Sequence, residues 1–276
     1  MTVNKPQAPI GVFDSGVGGL SVAGEILRNL PTEPVLYFAD TAHVPYGGRP
    51  LDEVRGFALA ICDFLVANGA KMIVMACNIS SAVALPAARE RYPHIPILGV
   101  IEPGATAALA TGARRIGVLA TQGTVTSGAY TRTIVAPDPQ AKVVEVPCPL
   151  FVPLVEAGET ESSEALSAAR CYLTPIADAD CEAVILGCTH YPFLLPTLQK
   201  AAAELFSAGK RPVFVDPAQE ATREIACLLK RHGIASPASA TTSHRYYVSG
   251  DVAHFEEQGS FFLGSPISGA RQVTLD

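Results

Sequence analysis

The sequence predicts an α/β fold made of two pseudo-symmetric, doubly wound domains with mainly parallel sheets. Three observations lead to this prediction: short apolar runs, helical patterns between them, and a weak repeat that relates the two halves of the chain. The chain has 276 residues, of which 49% are hydrophobic and 17% charged, so it can bury a substantial core. That length suits two small α/β domains.

Eight apolar runs have the pattern of buried parallel strands, because they are rich in Val and Ile and lack polar alternation. In chain order they are PIGVFD, PVLYFAD, KMIVMAC, PILGVI, RIGVLAT, KVVEVP, EAVILGC and PVFVD. Helical patterns separate them, among them Gly19–Asn29, Leu51–Asn68 and Ser162–Ala177. This alternation is typical of doubly wound sheets, which bind ligands outside the carboxyl ends of their strands.

Two pairs of segments resemble each other at similar offsets along the chain. IGVFDS, starting at Ile10, resembles IGVLAT, starting at Ile116, and MIVMACN, starting at Met72, resembles AVILGCT, starting at Ala183. Such strings also recur by chance in α/β proteins, so the repeat is a hypothesis. If it is real, each half has a strand that ends in Cys, and two facing halves place two thiols across one cleft.

Charge and hydropathy limit the partners. The net charge is −6 and no basic run occurs, whereas phosphate binding needs clustered Lys and Arg. No run approaches the roughly 18 apolar residues that a membrane span needs. The polar start of the sequence lacks the apolar core of a signal peptide. We therefore expect a cytoplasmic protein with neither nucleic acid nor membrane as its partner.

The chain has seven cysteines, and no CxxC or other ligand spacing relates them. Neither a disulfide framework nor a zinc site is predicted, although a metal set of Cys181, Cys188 and His190 is conceivable. Most cysteines are expected to be small buried apolar residues. The cysteines taken as structural are Cys62, Cys148, Cys171, Cys181 and Cys227.

Cys77 and Cys188 differ from the others, because each follows an apolar strand and precedes small polar residues. Each thiol is expected at the carboxyl end of a strand where the next helix begins, and a helix N-terminus lowers a thiol pKa from about 8.5. Two such thiols suit racemisation, in which one base removes the α-proton and an acid on the opposite face returns one. The alternative is that both are inert core residues.

A glycine-rich loop, DSGVGGLS, starts at Asp14 after the first strand. It departs from the GxGxxG fingerprint because Ser21 stands at the last glycine position, and no P-loop Lys follows. We expect Ser15 and the nearby amides to meet a small polar ligand. Asp14 either orients or deprotonates a partner such as Cys77, or caps the helix that follows.

Three further candidates are open to two interpretations each. His190 lies two residues after Cys188 and either assists that thiol or is a hydrogen-bonded residue of the loop. The Pro45-Tyr46-Gly47 segment is a rigid turn whose backbone either binds a ligand or serves only the turn. Glu156 is either a site residue or a surface helix residue, and spacing alone favours the surface residue.

The combination of GVFDSGVGGLSV (11–22), YFADTAHVPYG (37–47), MACN (75–78), CPLFVPLVEAG (148–158) and GCTHYPFL (187–194) resembles the glutamate racemase family, of the aspartate/glutamate racemase superfamily. The resemblance implies interconversion of L- and D-glutamate without pyridoxal phosphate, metal or other cofactor, supplying D-glutamate for peptidoglycan. It also implies a homodimer and an active site between the two domains. The first domain is then residues 1–101 and 212–276, with residues 1–8 as a flexible tail, and the second is residues 102–211. The catalytic residues implied are Cys77, Cys188, Asp14, His190 and Glu156, and the substrate contacts are Ser15, Pro45, Tyr46, Gly47, Asn78, Thr121 and Thr189.

One position departs from that family, which usually has Thr where this chain has Ile79. A hydroxyl next to the first thiol is therefore missing, although Ser80 follows at once. Two other hypotheses remain: a racemase or isomerase for another acid such as aspartate, and a non-catalytic protein that binds glutamate for regulation.

Overall fold

The computed structural model describes residues 6–240 and 242–275, and it contains all eight predicted strands. Two short strands near the end of the chain, β9 and β10, were not predicted. The strands are β1 Ile10–Asp14, β2 Val35–Ala39, β3 Met72–Met75, β4 Ile97–Gly99, β5 Arg115–Ala120, β6 Lys142–Pro147, β7 Ala183–Gly187, β8 Val213–Val215, β9 Arg245–Val248 and β10 Arg271–Gln272.

Helices connect the strands. The three helices whose bounds were predicted from the sequence begin and end within one residue of those bounds. The Ser162 side chain accepts a hydrogen bond from the Ala165 amide and so caps the helix that follows it. No helix in the described part of the chain is long and apolar enough to cross a membrane. The helices are α1 Leu20–Asn29, α2 Leu51–Ala67, α3 Asn78–Arg91, α4 Ile101–Ala110, α5 Gln122–Ser127, α6 Ala129–Val135, α7 Phe151–Glu156, α8 Ser163–Asp178, α9 Leu195–Leu205, α10 Pro217–Arg231 and α11 Val252–Leu263.

The strands form two sheets, and every strand pair in the described residues is parallel. The first sheet has the order β10-β9-β2-β1-β3-β4, and the second has the order β6-β5-β7-β8. The β2-β1-β3-β4 part of the first sheet therefore has the same strand order as the second. The predicted α/β class with parallel sheets is confirmed.

Strand register confirms the internal repeat. In the first sheet Ile10 lies beside Met72, and in the second sheet Ile116 lies beside Ala183. These four residues are the starts of the repeated segments, so the sequence match reproduces the pairing of β1 with β3 and of β5 with β7. Cys77 and Cys188 consequently follow equivalent strands.

The chain divides into two compact units, one of residues 1–100 and 221–276 and one of residues 101–220. Residues 212–220, which the sequence analysis assigned to the first domain, include β8, and β8 pairs with β7 in the second sheet. Of the tail predicted to be flexible, residues 1–5 lie outside the described residues. The Pro6 carbonyl accepts hydrogen bonds from Lys71 Nζ at 2.5 Å and Ser236 Oγ at 2.8 Å, which hold this residue to the first unit.

A core between the first sheet and helices α2 and α3 fixes the strands from which the loops at its carboxyl edge project. Buried residues of β1–β4, α2 and α3 form one apolar cluster there. Burial of each such side chain contributes about 1.5–3 kcal/mol, so the strand ends are held on a rigid support. The cluster includes Phe13, Leu36, Phe38, Ile61, Leu65, Ile73, Met75, Ala84 and Leu85.

Candidate active site

In the first unit, Asp14 is a buried carboxylate at the carboxyl end of β1. Its Oδ2 accepts hydrogen bonds from the Gly16 amide at 3.2 Å and the Gly19 amide at 3.0 Å. The glycine-rich loop is thus wrapped around the carboxylate, and Gly19 is the residue that precedes α1. Both amides precede the first helical residue, Leu20, so these bonds hold the loop that leads into α1.

Gly19 allows this close wrapping. A Cβ at Gly19 would lie 2.4 Å from Asp14 Cβ and 2.8 Å from Tyr37 Oη, closer than real contacts permit. The Tyr37 hydroxyl in turn donates to the Gly16 carbonyl at 2.8 Å. Burial, and then the negative charge of Asp14, raise the pKa of Tyr37, so this phenol stays protonated as a donor.

Cys77 is the N-cap of α3, as the sequence predicts, and it is 6% exposed. Its Sγ lies 3.9 Å from Ser15 Oγ, and the thiol donates to that hydroxyl. Asn78, the first residue of α3, is buried beside it. The structure therefore brings Asp14, Ser15, Cys77 and Asn78 to the adjacent carboxyl ends of β1 and β3.

The Pro45-Tyr46-Gly47 segment follows β2, and a 3-10 turn runs over Tyr46–Gly48. Pro45 is exposed and follows a cis peptide bond, whereas the Tyr46 side chain is buried. The Tyr46 hydroxyl donates to Asp40 Oδ2 at 2.5 Å. Burial, and then the Asp40 charge, raise the pKa of Tyr46. The hydrogen bond to Asp40 fixes the Tyr46 ring, whereas the Tyr46 backbone is part of the turn.

The Asp40 carboxylate also contacts other residues around the loop that follows β2. Its Oδ1 accepts a hydrogen bond from Ser249 Oγ at 2.7 Å and lies 2.8 Å from His43 Nδ1. Ser249 follows β9, so the carboxylate ties the binding-loop candidate to a strand that the sequence analysis did not predict. Asp40 was also missed as a site residue, although it ends the run PVLYFAD in the same way that Asp14 ends PIGVFD.

In the second unit, Cys188 follows β7 and is 8% exposed. Its Sγ lies 3.8 Å from Nδ1 of the buried His190, whose Nε2 lies 3.2 Å from Glu156 Oε1. Glu156 is the last residue of α7, and its side chain is 50% exposed. It is thus the surface helix residue that spacing predicts and also a neighbour of the buried imidazole.

The prediction that each thiol lies where a helix begins is wrong for Cys188. A turn at Thr189 and His190 and a 3-10 turn at Tyr191–Leu194 follow it, and α9 starts only at Leu195. Pro196 explains this start, because proline lacks an amide donor and is tolerated only in the first turn of a helix.

The remaining candidates of the second unit lie on loops after β5 and β7. Thr121 is the N-cap of the short helix α5, and its Oγ1 lies 3.1 Å from Thr124 Oγ1. Thr189 is buried next to Cys188. Tyr191, which sequence reasoning missed, is fully buried and donates to the Cys148 carbonyl at 3.0 Å. Burial raises the pKa of Tyr191.

The side chain of Ile79 is 3% exposed and packs in an apolar cluster with Tyr46, Val54 and Cys77. Ser80 does not replace the missing hydroxyl at position 79. Its Oγ is fully buried and has no hydrogen-bond partner among the described residues.

The other cysteines fall into two groups. Cys62, Cys148 and Cys181 are buried as predicted, and burial raises the pKa of Cys62 to about 12 and that of Cys181 to about 11. Cys171 and Cys227 are exposed, so these two are exceptions to the burial expected of most cysteines. Within residues 6–240 and 242–275, no group of three or more His, Cys, Asp or Glu side chains has the arrangement of a metal site.

Comparison with known proteins gives the family. The sequence model of the Asp/Glu/hydantoin racemases matches residues 10–225. The chain belongs to that racemase family. A glutamate racemase of Geobacter metallireducens is 42% identical to it over 98% of both chains. The resemblance to glutamate racemases found in the sequence is thereby confirmed.

Solved structures of this family share the fold. The crystal structure of the Francisella tularensis glutamate racemase in complex with D-glutamate superposes with a TM-score of 0.91, at 32% identity, and covers 98% of this chain and 99% of its own. The Thermus thermophilus glutamate racemase, in complex with β-chloro-D-alanine, gives a TM-score of 0.87 at 43% identity and covers 98% of each chain.

Proposed function

We propose that this protein is a glutamate racemase that interconverts L- and D-glutamate with two thiols, Cys77 and Cys188. The observation that carries the proposal is that the two cysteines follow equivalent strands, β3 and β7, of a repeated sheet in a chain of the racemase family. The glutamate racemases similar to it over nearly their whole length support glutamate as the substrate.

In the proposed reaction, one cysteine acts as thiolate and removes the α-proton from one face of glutamate. The other cysteine acts as thiol and returns a proton to the opposite face. The first cysteine ends as thiol and the second as thiolate, so the protein is then ready for the reverse reaction. Backbone amides and hydroxyls aimed at the α-carboxylate stabilise the carbanion-like state between the two transfers.

On the first side, we propose that Cys77 is assisted by the α3 N-terminus and by Ser15. The partial positive charge of a helix N-terminus favours the thiolate, and the hydroxyl at 3.9 Å is placed to exchange a hydrogen bond with it. Asp14 acts by shaping the loop that carries Ser15, since its carboxylate holds the Gly16 and Gly19 amides.

On the second side, we propose that His190 assists Cys188 and that Glu156 orients His190. The imidazole lies between thiol and carboxylate, with 3.8 Å to Cys188 Sγ and 3.2 Å to Glu156 Oε1. A buried imidazole with a carboxylate on its other nitrogen is a suitable proton carrier.

Substrate contacts and the cellular setting are further parts of the proposal. The substrate-binding groups proposed are Ser15, Pro45, Tyr46, Gly47, Asn78, Thr121 and Thr189, because all lie on loops or first helical turns that follow strands. The resemblance to glutamate racemases supports a cytoplasmic homodimer that supplies D-glutamate for peptidoglycan. Light scattering of the purified protein tests the dimer.

The first experiment is circular dichroism of L-glutamate, and then of D-glutamate, with purified protein freed of metal and pyridoxal phosphate. Decay of the optical signal to zero from both enantiomers is the expected result. If neither signal changes while aspartate is racemised, the substrate is another acid. If glutamate binds without any α-proton exchange in deuterated water, the protein is a non-catalytic binder and the proposal is wrong.

The two-thiol mechanism is tested with Cys77→Ser and Cys188→Ser, and Cys227→Ser is the matched control because that thiol is exposed. Each site variant should lose racemisation by about 10³-fold, the range expected for a missing acid or base. Either variant can retain one-sided chemistry, such as elimination from an activated substrate. Normal racemisation by both site variants would show that the thiols are bystanders.

A further inference from the structure

Ser81 lies one helical turn after Cys77 and joins three backbone groups around that residue. Its Oγ lies 2.9 Å from the Met75 carbonyl and 2.9 Å from the Cys77 carbonyl, and it shares its single proton between them. The same oxygen accepts a hydrogen bond from the Val100 amide at 3.2 Å. The Ser81 backbone amide also donates to the Cys77 carbonyl, at 2.9 Å.

These bonds hold the chain on both sides of Cys77. Met75 is the last residue of β3, and Cys77 is the N-cap of α3, so the hydroxyl links the end of the strand to the start of the helix. Val100 follows β4, the neighbour of β3 in the sheet. Ser81 is 4% exposed, and a buried polar group that loses its hydrogen-bond partner costs about 1–3 kcal/mol.

The shape of the neighbouring backbone keeps the hydroxyl in place. Gly99 faces Ser81, and a Cβ at Gly99 would lie 2.9 Å from both Ser81 Cβ and Ser81 Oγ. A side chain at position 99 would therefore displace Ser81. Serine has the hydroxyl that the three backbone groups need, in the small volume that the Gly99 backbone allows.

We infer that Ser81 is a positioning residue for the Cys77 thiol, an inference that rests on the proposed function. By fixing the carbonyls of Met75 and Cys77, it sets the direction in which the Cys77 side chain leaves the chain. That direction determines how the thiol faces the α3 N-terminus and Ser15. Ser81 itself does not need to touch substrate.

The test is the pH dependence of alkylation of each cysteine by iodoacetamide in the substrate-free, folded protein, read by peptide mass spectrometry. In Ser81→Ala, the Cys77 profile should move to higher pH, and Cys77 should react about fivefold more slowly near neutral pH, as expected for a weakened helix-terminus interaction. The profile of Cys188 should stay unchanged. Racemisation should lose kcat by a similar factor with KM unchanged.

Ser260 is the matched control, because its Oγ also donates to a carbonyl four residues earlier, that of Glu256, and accepts from a backbone amide, that of Ile267. Ser260→Ala should leave the Cys77 profile as in the unmodified protein. Gly99→Ala is a second variant, which displaces the hydroxyl without removing it. It should shift the Cys77 profile in the same direction and keeps the test usable if Ser81→Ala does not fold.

The alkylation profile does not depend on turnover, so it separates the inference from the proposed function. A Cys77 shift in protein that does not racemise glutamate would support the positioning role while the proposed function fails. An unchanged Cys77 profile in Ser81→Ala overturns the inference. Equal shifts of Cys77 and Cys188, or an equal shift in Ser260→Ala, overturn it too, because they indicate general loosening.

Discussion

Cys77 and Cys188 occupy equivalent places in a repeated sheet but have different surroundings. Cys77 caps the 14-residue helix α3 and contacts the Ser15 hydroxyl. Cys188 is followed by turns in place of an α-helix, and its neighbour is the imidazole of His190. The repeated strands thus fix where the thiols are, whereas the loops after the strands determine what surrounds them.

This difference matters for a reaction that needs one thiolate and one thiol at a time. A helix N-terminus stabilises the anion by its fixed dipole, without a proton of its own to give. An imidazole both accepts and donates a proton. The His190 imidazole also contacts the half-exposed carboxylate of Glu156. We therefore expect the two half-reactions to depend on different residues.

After the two cysteine variants, the largest effect is expected from His190→Asn. Loss of the imidazole removes the proton partner of Cys188, so the half-reaction that uses Cys188 as base should slow by about 10²-fold. The measurement is early-time α-proton exchange in deuterated water, starting from each pure enantiomer. The enantiomer that is affected more in His190→Asn should be the same one that is affected more in Cys188→Ser.

His232→Asn is the control for this prediction, because His232 is exposed and follows α10. It should exchange both enantiomers at the rate of the unmodified protein. If His190→Asn slows both enantiomers equally, the imidazole serves both thiols, and the contrast between the two halves does not hold for the chemistry.

Much of the fold and the placement of both thiols could be predicted from the sequence. Val- and Ile-rich runs give buried strands, and the match of IGVFDS with IGVLAT reproduces the strand register because both halves have the same order of strands. The strands β9 and β10 were missed because neither is a Val- and Ile-rich run: β9 is RYYV, and β10 is RQ, without an apolar residue.

Hydrogen bonds between residues that are far apart in the sequence could not be predicted. Ser249 donates a hydrogen bond to Asp40, which is 209 residues away in the sequence. The Val100 amide donates one to Ser81, which is 19 residues away. The late start of α9 had a signal, Pro196, that was not used. The exposure of Cys171 and Cys227 could not be predicted, because nothing near them in the sequence distinguishes a buried from an exposed helix face.

Gly19→Ala should perturb the first half alone. The added Cβ would meet Asp14 Cβ at 2.4 Å, so the loop that carries Ser15 must move, at a cost of about 1–3 kcal/mol in the free energy of unfolding. Racemisation should fall about tenfold, the equivalent of roughly 1.4 kcal/mol. Urea unfolding and the enantiomer-resolved exchange assay measure both effects.

Gly56→Ala is the control for the added methyl group, because Gly56 is exposed within α2 and nothing lies within 4 Å of its virtual Cβ. It should raise stability by roughly 0.5–1 kcal/mol and leave the rates unchanged. Selective slowing by Gly19→Ala of the half-reaction that depends on His190 would contradict the assignment of Asp14 to the Cys77 side.

Ile79→Thr and Ile79→Val separate the missing hydroxyl from the apolar packing. Ile79 packs with Tyr46 and Val54, so Val should cost about 0.5–1.5 kcal/mol of stability, and Thr about 1–3 kcal/mol more because it buries a hydroxyl. Both should keep racemisation within a few-fold. Faster racemisation by Ile79→Thr, but not by Ile79→Val, would show that the hydroxyl reaches the Cys77 thiol.

Glu156→Gln should have the smallest effect. The carboxylate is half exposed, and such contacts contribute at most about 1 kcal/mol, so a two- to threefold loss restricted to the Cys188 half-reaction is expected. Gln retains an oxygen that can accept from His190 Nε2, which preserves the orientation of the ring. Glu159→Gln, an exposed residue three positions on, controls for the lost charge. A loss near 10²-fold would instead mean that the Glu156 charge is as essential as the imidazole, so that thiol, imidazole and carboxylate act as one proton-carrying unit on the second side alone.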